Sequence, residues 1–104
     1  MEIIYSDKLI SYMKEKNKTI ILVELVEINT SDIEIAELHV QFATKGQKKT
    51  FMEKKRYYSK EAPVGEILFP PFPLMMEEKI FLDLKKVLFF HVITQKGIKV
   101  SVAF

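Results

Sequence analysis

The sequence predicts a mostly-β domain of the α+β class, an antiparallel β-sandwich or half-barrel with one N-terminal helix packed on it. Three observations carry that prediction. Runs rich in β-branched and aromatic residues recur along the chain, and several alternate strictly between apolar and polar positions. Clusters of turn-forming residues separate them. Only residues 7–16 combine helical spacing of apolar side chains with a capping residue at their start.

Taken in order, Glu2-Ile3-Ile4-Tyr5 is a short apolar run that ends at Ser6-Asp7. Ser6 can accept from the free amides of a first helical turn, and Asp7 sets negative charge at the positive end of the helix dipole. Leu9, Ile10, Tyr12 and Met13 form the apolar face of the helix that follows, Lys14 and Lys16 suit its C-terminal end, and Asn17 tolerates a left-handed cap. Residues 19–28 predict a strand whose first half is buried on both faces, with Glu24 and Glu27 as its only polar interruptions. Asn29-Thr30-Ser31-Asp32 reads as a turn. From Ala36 to Phe42 the alternation places Ala36, Leu38, Val40 and Phe42 on one face and Glu37, His39 and Gln41 on the other. Ile33 and Ile35 fall in the opposite phase, which predicts a bulge or break near Ile35.

Residues 45–60 fit neither period and read as a long hairpin loop or a strand with a mobile tip. Glu66 to Phe69 can form a strand that Pro70-Pro71-Phe72-Pro73 must end. Lys79 to Leu84 alternates with Ile80, Leu82 and Leu84 inward, and Lys85-Lys86 reads as a turn. A closing hairpin is predicted from Val87–Thr94 and Ile98–Phe104, joined at Gln95-Lys96-Gly97, with Ile98, Val100, Val102 and Phe104 facing one way.

At 104 residues with 48% apolar or aromatic content, the chain is expected to be one domain, 1–104, with a core of its own. It has no cysteine, so disulfides, thiol nucleophiles and thiolate metal sites are closed to it. With no apolar stretch near the roughly 18 residues of a membrane helix, and no basic-apolar-small leader, the expectation is a cytoplasmic protein with no membrane partner. The net charge of +2 is unevenly spread. Lys45, Lys48, Lys49, Lys54, Lys55, Arg56 and Lys60 face only Glu53 within residues 45–60, a net of +6, which leaves the other 88 residues mildly acidic at −4.

That basic segment is the first candidate site. Its cations can neutralise phosphates, and Phe51, Tyr57 and Tyr58 can stack on unpaired bases. The same residues also suit a solvated edge with aromatics buried beneath it. The second candidate is an interface for a protein partner or a second copy of the chain, through Phe69, Phe72, Leu74, Met75 and Met76, for which the alternative is a buried connector. No phosphate-binding glycine loop or serine nucleophile motif is present, so no catalytic residue, cofactor or metal is assigned, and an enzyme is not expected. His39 and His91 are too few for a metal site, and Glu24, Glu27, Glu34 and Glu37 read as a solvated edge rather than a cation site.

The capped helix from Ser6 to Lys16, the strand ending Val23-Glu24-Leu25-Val26, the segment Ile80-Phe81-Leu82-Asp83-Leu84-Lys85-Lys86-Val87-Leu88-Phe89-Phe90 and the closing Lys96-Gly97-Ile98 together resemble the HesB-like, A-type iron–sulphur assembly proteins. Within that group the chain is most similar to the small branch carrying a cysteine or selenocysteine motif. The resemblance implies a HesB-like fold with sulphur ligands in the loop after the first long strand. Here that loop reads Glu27-Ile28-Asn29-Thr30-Ser31-Asp32, without a thiol, and hydroxyl, amide and alkyl groups cannot replace thiolates at a cluster. The sequence therefore predicts a degenerate, non-catalytic binding or interaction module. Nucleic-acid binding through residues 45–60 is the alternative.

Overall fold

A computed structural model describes residues 1–29 and 34–100. They form seven strands and two helices: β1 (Glu2–Tyr5), α1 (Asp7–Glu15), β2 (Ile20–Asn29), β3 (Glu34–Phe42), α2 (Lys45–Lys54), β4 (Tyr58–Glu61), β5 (Glu66–Phe69), β6 (Leu74–Val87) and β7 (Phe90–Val100). The strands divide into a sheet ordered β1-β6-β7 and a sheet ordered β3-β2-β5-β4. The fold is mostly β, but the sheets are mixed rather than antiparallel, because β1 runs parallel to β6 and β2 parallel to β5. No helix among the described residues is long and apolar enough to cross a membrane.

The helix at residues 7–15 forms for the expected reasons. The Ser6 hydroxyl accepts from the Leu9 amide at 3.1 Å, and Asn17 follows the helix at φ +59°. Leu9 and Met13, one turn apart, are buried between the sheets. Tyr12 stacks on Phe42 of β3 with ring centroids 5.6 Å apart and meets His91 of β7 at 4.7 Å, so α1 bridges the two sheets.

The continuous apolar run of β2 is explained by its position. Ile21 and Val23 face the inter-sheet core with Ile67, Phe69, Ile80, Leu82, Leu84 and Ile98. Ile20 and Leu22 face the opposite side, where they pack with Leu68, Tyr57 and Phe51 beneath α2. β2 is thus covered on both faces, as a strand with a parallel neighbour usually is. β5 pairs with β2 only as far as Leu22, and beyond that point the Tyr57 hydroxyl accepts from the Leu25 amide at 3.1 Å. Burial and the Glu24 carboxylate raise the Tyr57 pKa, while the Leu25 contact lowers it. Tyr5 has a fully buried hydroxyl that finds no hydrogen-bond partner among the described residues, and burial pushes its pKa far up.

Several sequence expectations are corrected. Residues 45–60 are not a loop or mobile strand tip. Thr44 and Gln47 form a capping box, with the Gln47 amide donating to Thr44 Oγ1 at 3.1 Å and the Thr44 amide to Gln47 Oε1 at 2.9 Å, and α2 follows. Ile35 sits in an unbroken register from Ile21↔Phe42 to Asn29↔Glu34, without a bulge. Lys85-Lys86 lies inside β6, paired with Val92 and His91, and the hairpin turns at Leu88-Phe89. Gln95-Lys96-Gly97 is no turn but part of an irregularity in which β7 meets β6 between Met76 and Phe81. The Gln95 side chain holds it by donating to the Ile98 carbonyl at 2.9 Å and accepting from the Ile98 amide at 3.0 Å. Thr30 to Ile33, with most of the predicted turn, and Val102 and Phe104 lie outside the described residues. The alternations 36–42 and 79–84 hold as read, with Ile80, Leu82 and Leu84 buried.

One polar link fastens α1 to β6. The Ser6 hydroxyl donates to Asp83 Oδ1 at 2.5 Å, the Leu84 amide donates to the same oxygen at 2.8 Å, and the Ser6 amide donates to the Leu82 carbonyl at 2.9 Å. The Ser6 hydroxyl above all, then the Leu84 amide, holds the Asp83 carboxyl below its ordinary value of 3.8. A carboxylate with a depressed pKa in the folded state stabilises the fold above its unfolded value, and that contribution is lost as pH falls through the folded pKa. Asp83→Asn is therefore expected to make stability less steeply pH-dependent below about pH 4. Urea unfolding at a series of acidic pH values measures this, and parallel curves for the two proteins would count against the link.

Candidate functional site

The structure disperses much of the basic segment. Lys45, Lys48 and Lys49 of α2 line an open depression of about 490 Å³ with Thr19, Ile20, Met52, Glu53 and Glu66. Within it Lys48 Nζ lies 2.6 Å from Glu66 Oε1, which also accepts from Ser59 Oγ at 3.1 Å, so this cation is already paired. Lys55 rests over the Phe51 ring at 4.5 Å from its centroid. Lys54 and Arg56 are exposed at the far end of the helix, and Lys60 lies on β4 beside a separate cleft of about 420 Å³ with Met1, Ile3 and Pro63. Of the aromatics, Phe51 and Tyr57 meet edge to face at 4.9 Å in the core beneath α2, and Tyr58 alone has an exposed ring.

The Pro-rich candidate also divides. Phe69 is 0% exposed at the centre of the inter-sheet core and belongs to no surface, because β5 points it between the sheets. Leu74 and Met76 pack partly buried against that core, leaving Phe72 at 51% and Met75 at 61% exposure as the only open members of the predicted interface. His39 contacts Glu37 at 3.2 Å on the surface of β3, whereas His91 packs on Tyr12. Glu24 and Glu27, three apart on a strand, project to opposite faces rather than sharing one. Among the described residues there is no group of three or more histidines or carboxylates placed to hold a metal, and no charged side chain is buried.

The surface that the sequence reading missed is the distal β6–β7 hairpin. Opposite pairs of an antiparallel ladder share a face, so the pairs Phe81↔Lys96, Asp83↔Thr94, Lys85↔Val92 and Val87↔Phe90 lie outward, opposite to Leu82 and Leu84. Phe81, Val87, Phe90 and Val92 are exposed on that outer face, and neither α1 nor α2 covers it. At the tip, Leu88 and Phe89 are 81% and 92% exposed. The sequence did hold a signal. The inward phase Ile80-Leu82-Leu84 reaches lysine at Lys86, so the core face has ended before the run Val87-Leu88-Phe89-Phe90 begins.

No family model, curated protein or solved structure matches this chain.

Proposed function

We propose that this chain is a non-catalytic binding module, a HesB-like scaffold without the family's cysteines, that engages its partner through the outer face and tip of the β6–β7 hairpin. One observation carries the reading: Val87, Leu88, Phe89, Phe90 and Val92 form a contiguous exposed apolar set at the distal end of the hairpin, with Phe81 set apart from them behind the Asp83↔Thr94 pair. Scattered apolar residues on a surface are ordinary, but a contiguous patch of this kind marks an interaction site. The absence of thiols supports the non-catalytic side of the reading, since the chemistry of the resembled family runs through sulphur.

Nucleic-acid binding through residues 45–60 is disfavoured by the pairing of Lys48 with Glu66 and by the use of Phe51 and Tyr57 as core residues. A fluorescent apolar-surface dye and a single-stranded oligonucleotide separate the two readings. The folded protein is expected to bind the dye, Phe90→Ser with Val92→Ser is expected to cut that binding about severalfold, and no oligonucleotide binding is expected at low salt. Dye binding untouched by those substitutions, or oligonucleotide binding that salt removes, would overturn the proposal.

A further inference from the structure

The tip carries two features beyond exposure. Leu88 stands at φ +55°, the first position of a two-residue hairpin loop, where glycine or asparagine is the comfortable occupant. A leucine held there with 81% of its surface in water serves neither the turn nor the core. In addition, residues 84–100 contain Lys85, Lys86, Lys96 and Lys99 and no acid. The register sets Lys85 opposite Val92 on the outer face and Lys86 opposite His91 on the other, so the two lysines flank the hairpin on both sides just behind its apolar end. At about 3.3 Å of rise per residue, they sit about 7 to 10 Å behind the tip.

These features select one kind of partner. A convex two-residue apolar tip would need a deep pocket in a protein, whereas a lipid surface yields to it. The distance from tip to lysines matches the roughly 5 to 10 Å by which interfacial segments sink to the headgroup–acyl boundary. Lysines at that depth lie level with phosphates, and the lack of acids in residues 84–100 is the charge complement of an anionic leaflet. We propose, on the reading of this hairpin as the binding surface, that the tip inserts into an anionic lipid surface, with Leu88 and Phe89 entering the acyl boundary and Lys85 and Lys86 pairing with headgroup phosphates. Such docking needs no spanning helix, so it departs from the sequence expectation of no membrane partner without requiring the chain to cross.

Co-sedimentation with vesicles of phosphatidylcholine containing about one-third phosphatidylglycerol tests this, with pure phosphatidylcholine vesicles as the comparison. The protein is expected to pellet with the anionic vesicles, weakly with the neutral ones, and less as salt rises. Leu88→Asn with Phe89→Ser is expected to lower the partition coefficient at least about tenfold, and Lys85→Gln with Lys86→Gln about tenfold on anionic vesicles alone. Asparagine suits the left-handed position, so Leu88→Asn by itself is expected to melt no lower than the parent, which separates lost binding from lost folding. Failure of the parent protein to pellet with anionic vesicles, or equal pelleting of the tip variant, overturns the lipid assignment. If light scattering then shows a dimer that the tip variant dissolves, the partner is a second copy and the binding-surface reading stands. If the dye also ignores the outer face, both proposals fall.

Discussion

Phe69→Ala is expected to lower the free energy of unfolding by about 3 to 5 kcal/mol. The ring is 0% exposed and lies among Ile21, Val23, Ile67, Ile80 and Leu82, side chains drawn from both sheets. It also faces Tyr58 across the β4–β5 ladder, with centroids 5.8 Å apart. Truncation removes the transfer free energy of the ring and leaves a cavity that neither sheet can close without shifting the β2–β5 pairing. Phe72→Ala and Met75→Ala, three and six residues further on, are expected to change stability by about 0.5 kcal/mol or less, since both side chains are more than half exposed. Urea unfolding of the three variants reads the contrast directly. A cost below about 1 kcal/mol for Phe69→Ala would mean that the inter-sheet core is not where the structure puts it.

That contrast shows what kind of information the sequence holds. Phe69 and Phe72 both flank prolines in one apolar stretch, and nothing local distinguishes core from surface. The difference arises because β5 is the interior neighbour of β2, a pairing set across more than forty residues of chain. Period-two signals were readable where one face is solvated, as in Ala36–Phe42 and Lys79–Leu84, because alternation records burial on a single side. The parallel pairings were not readable, since β1 and β6 are joined by most of the molecule and no local motif announces them. Helix α2 escaped because it buries almost nothing: only Phe51 packs, so its apolar spacing is faint. Its start was nonetheless written in Thr44-Lys45-Gly46-Gln47, a capping-box pattern with the right spacing. At the candidate site the cluster of cations was legible, but the Lys48–Glu66 pair was not, because it joins a helix to a strand 18 residues later. Gly97 takes φ +110°, a backbone freedom that serves a bulge as well as the turn the sequence predicts there.

Glycine at position 65 gives the sharpest backbone prediction. Gly65 ends the loop between β4 and β5 at φ +64°, and an added Cβ would lie 1.9 Å from the Thr19 carbonyl oxygen. That oxygen is not free to retreat, because it accepts from the Glu66 amide at 2.9 Å and so opens the β2–β5 pairing that continues as Ile20↔Glu66. Relief would require moving Thr19 away from the strand it joins or breaking this first bond, and the left-handed backbone adds its own penalty for a side chain. Gly65→Ala is therefore expected to cost on the order of 3 kcal/mol or more. Gly46 supplies the opposite case. It lies within α2 at an exposed position, where an added Cβ would approach only Thr44 Oγ1, at 3.9 Å. Gly46→Ala is expected to stabilise the protein by about 0.5 to 1 kcal/mol through helix propensity. Thermal and urea unfolding of the two alanine variants should move in opposite directions. Equal, small shifts would show that the close approach of Gly65 to Thr19, and with it the register joining β5 to β2, is not a feature of the folded protein.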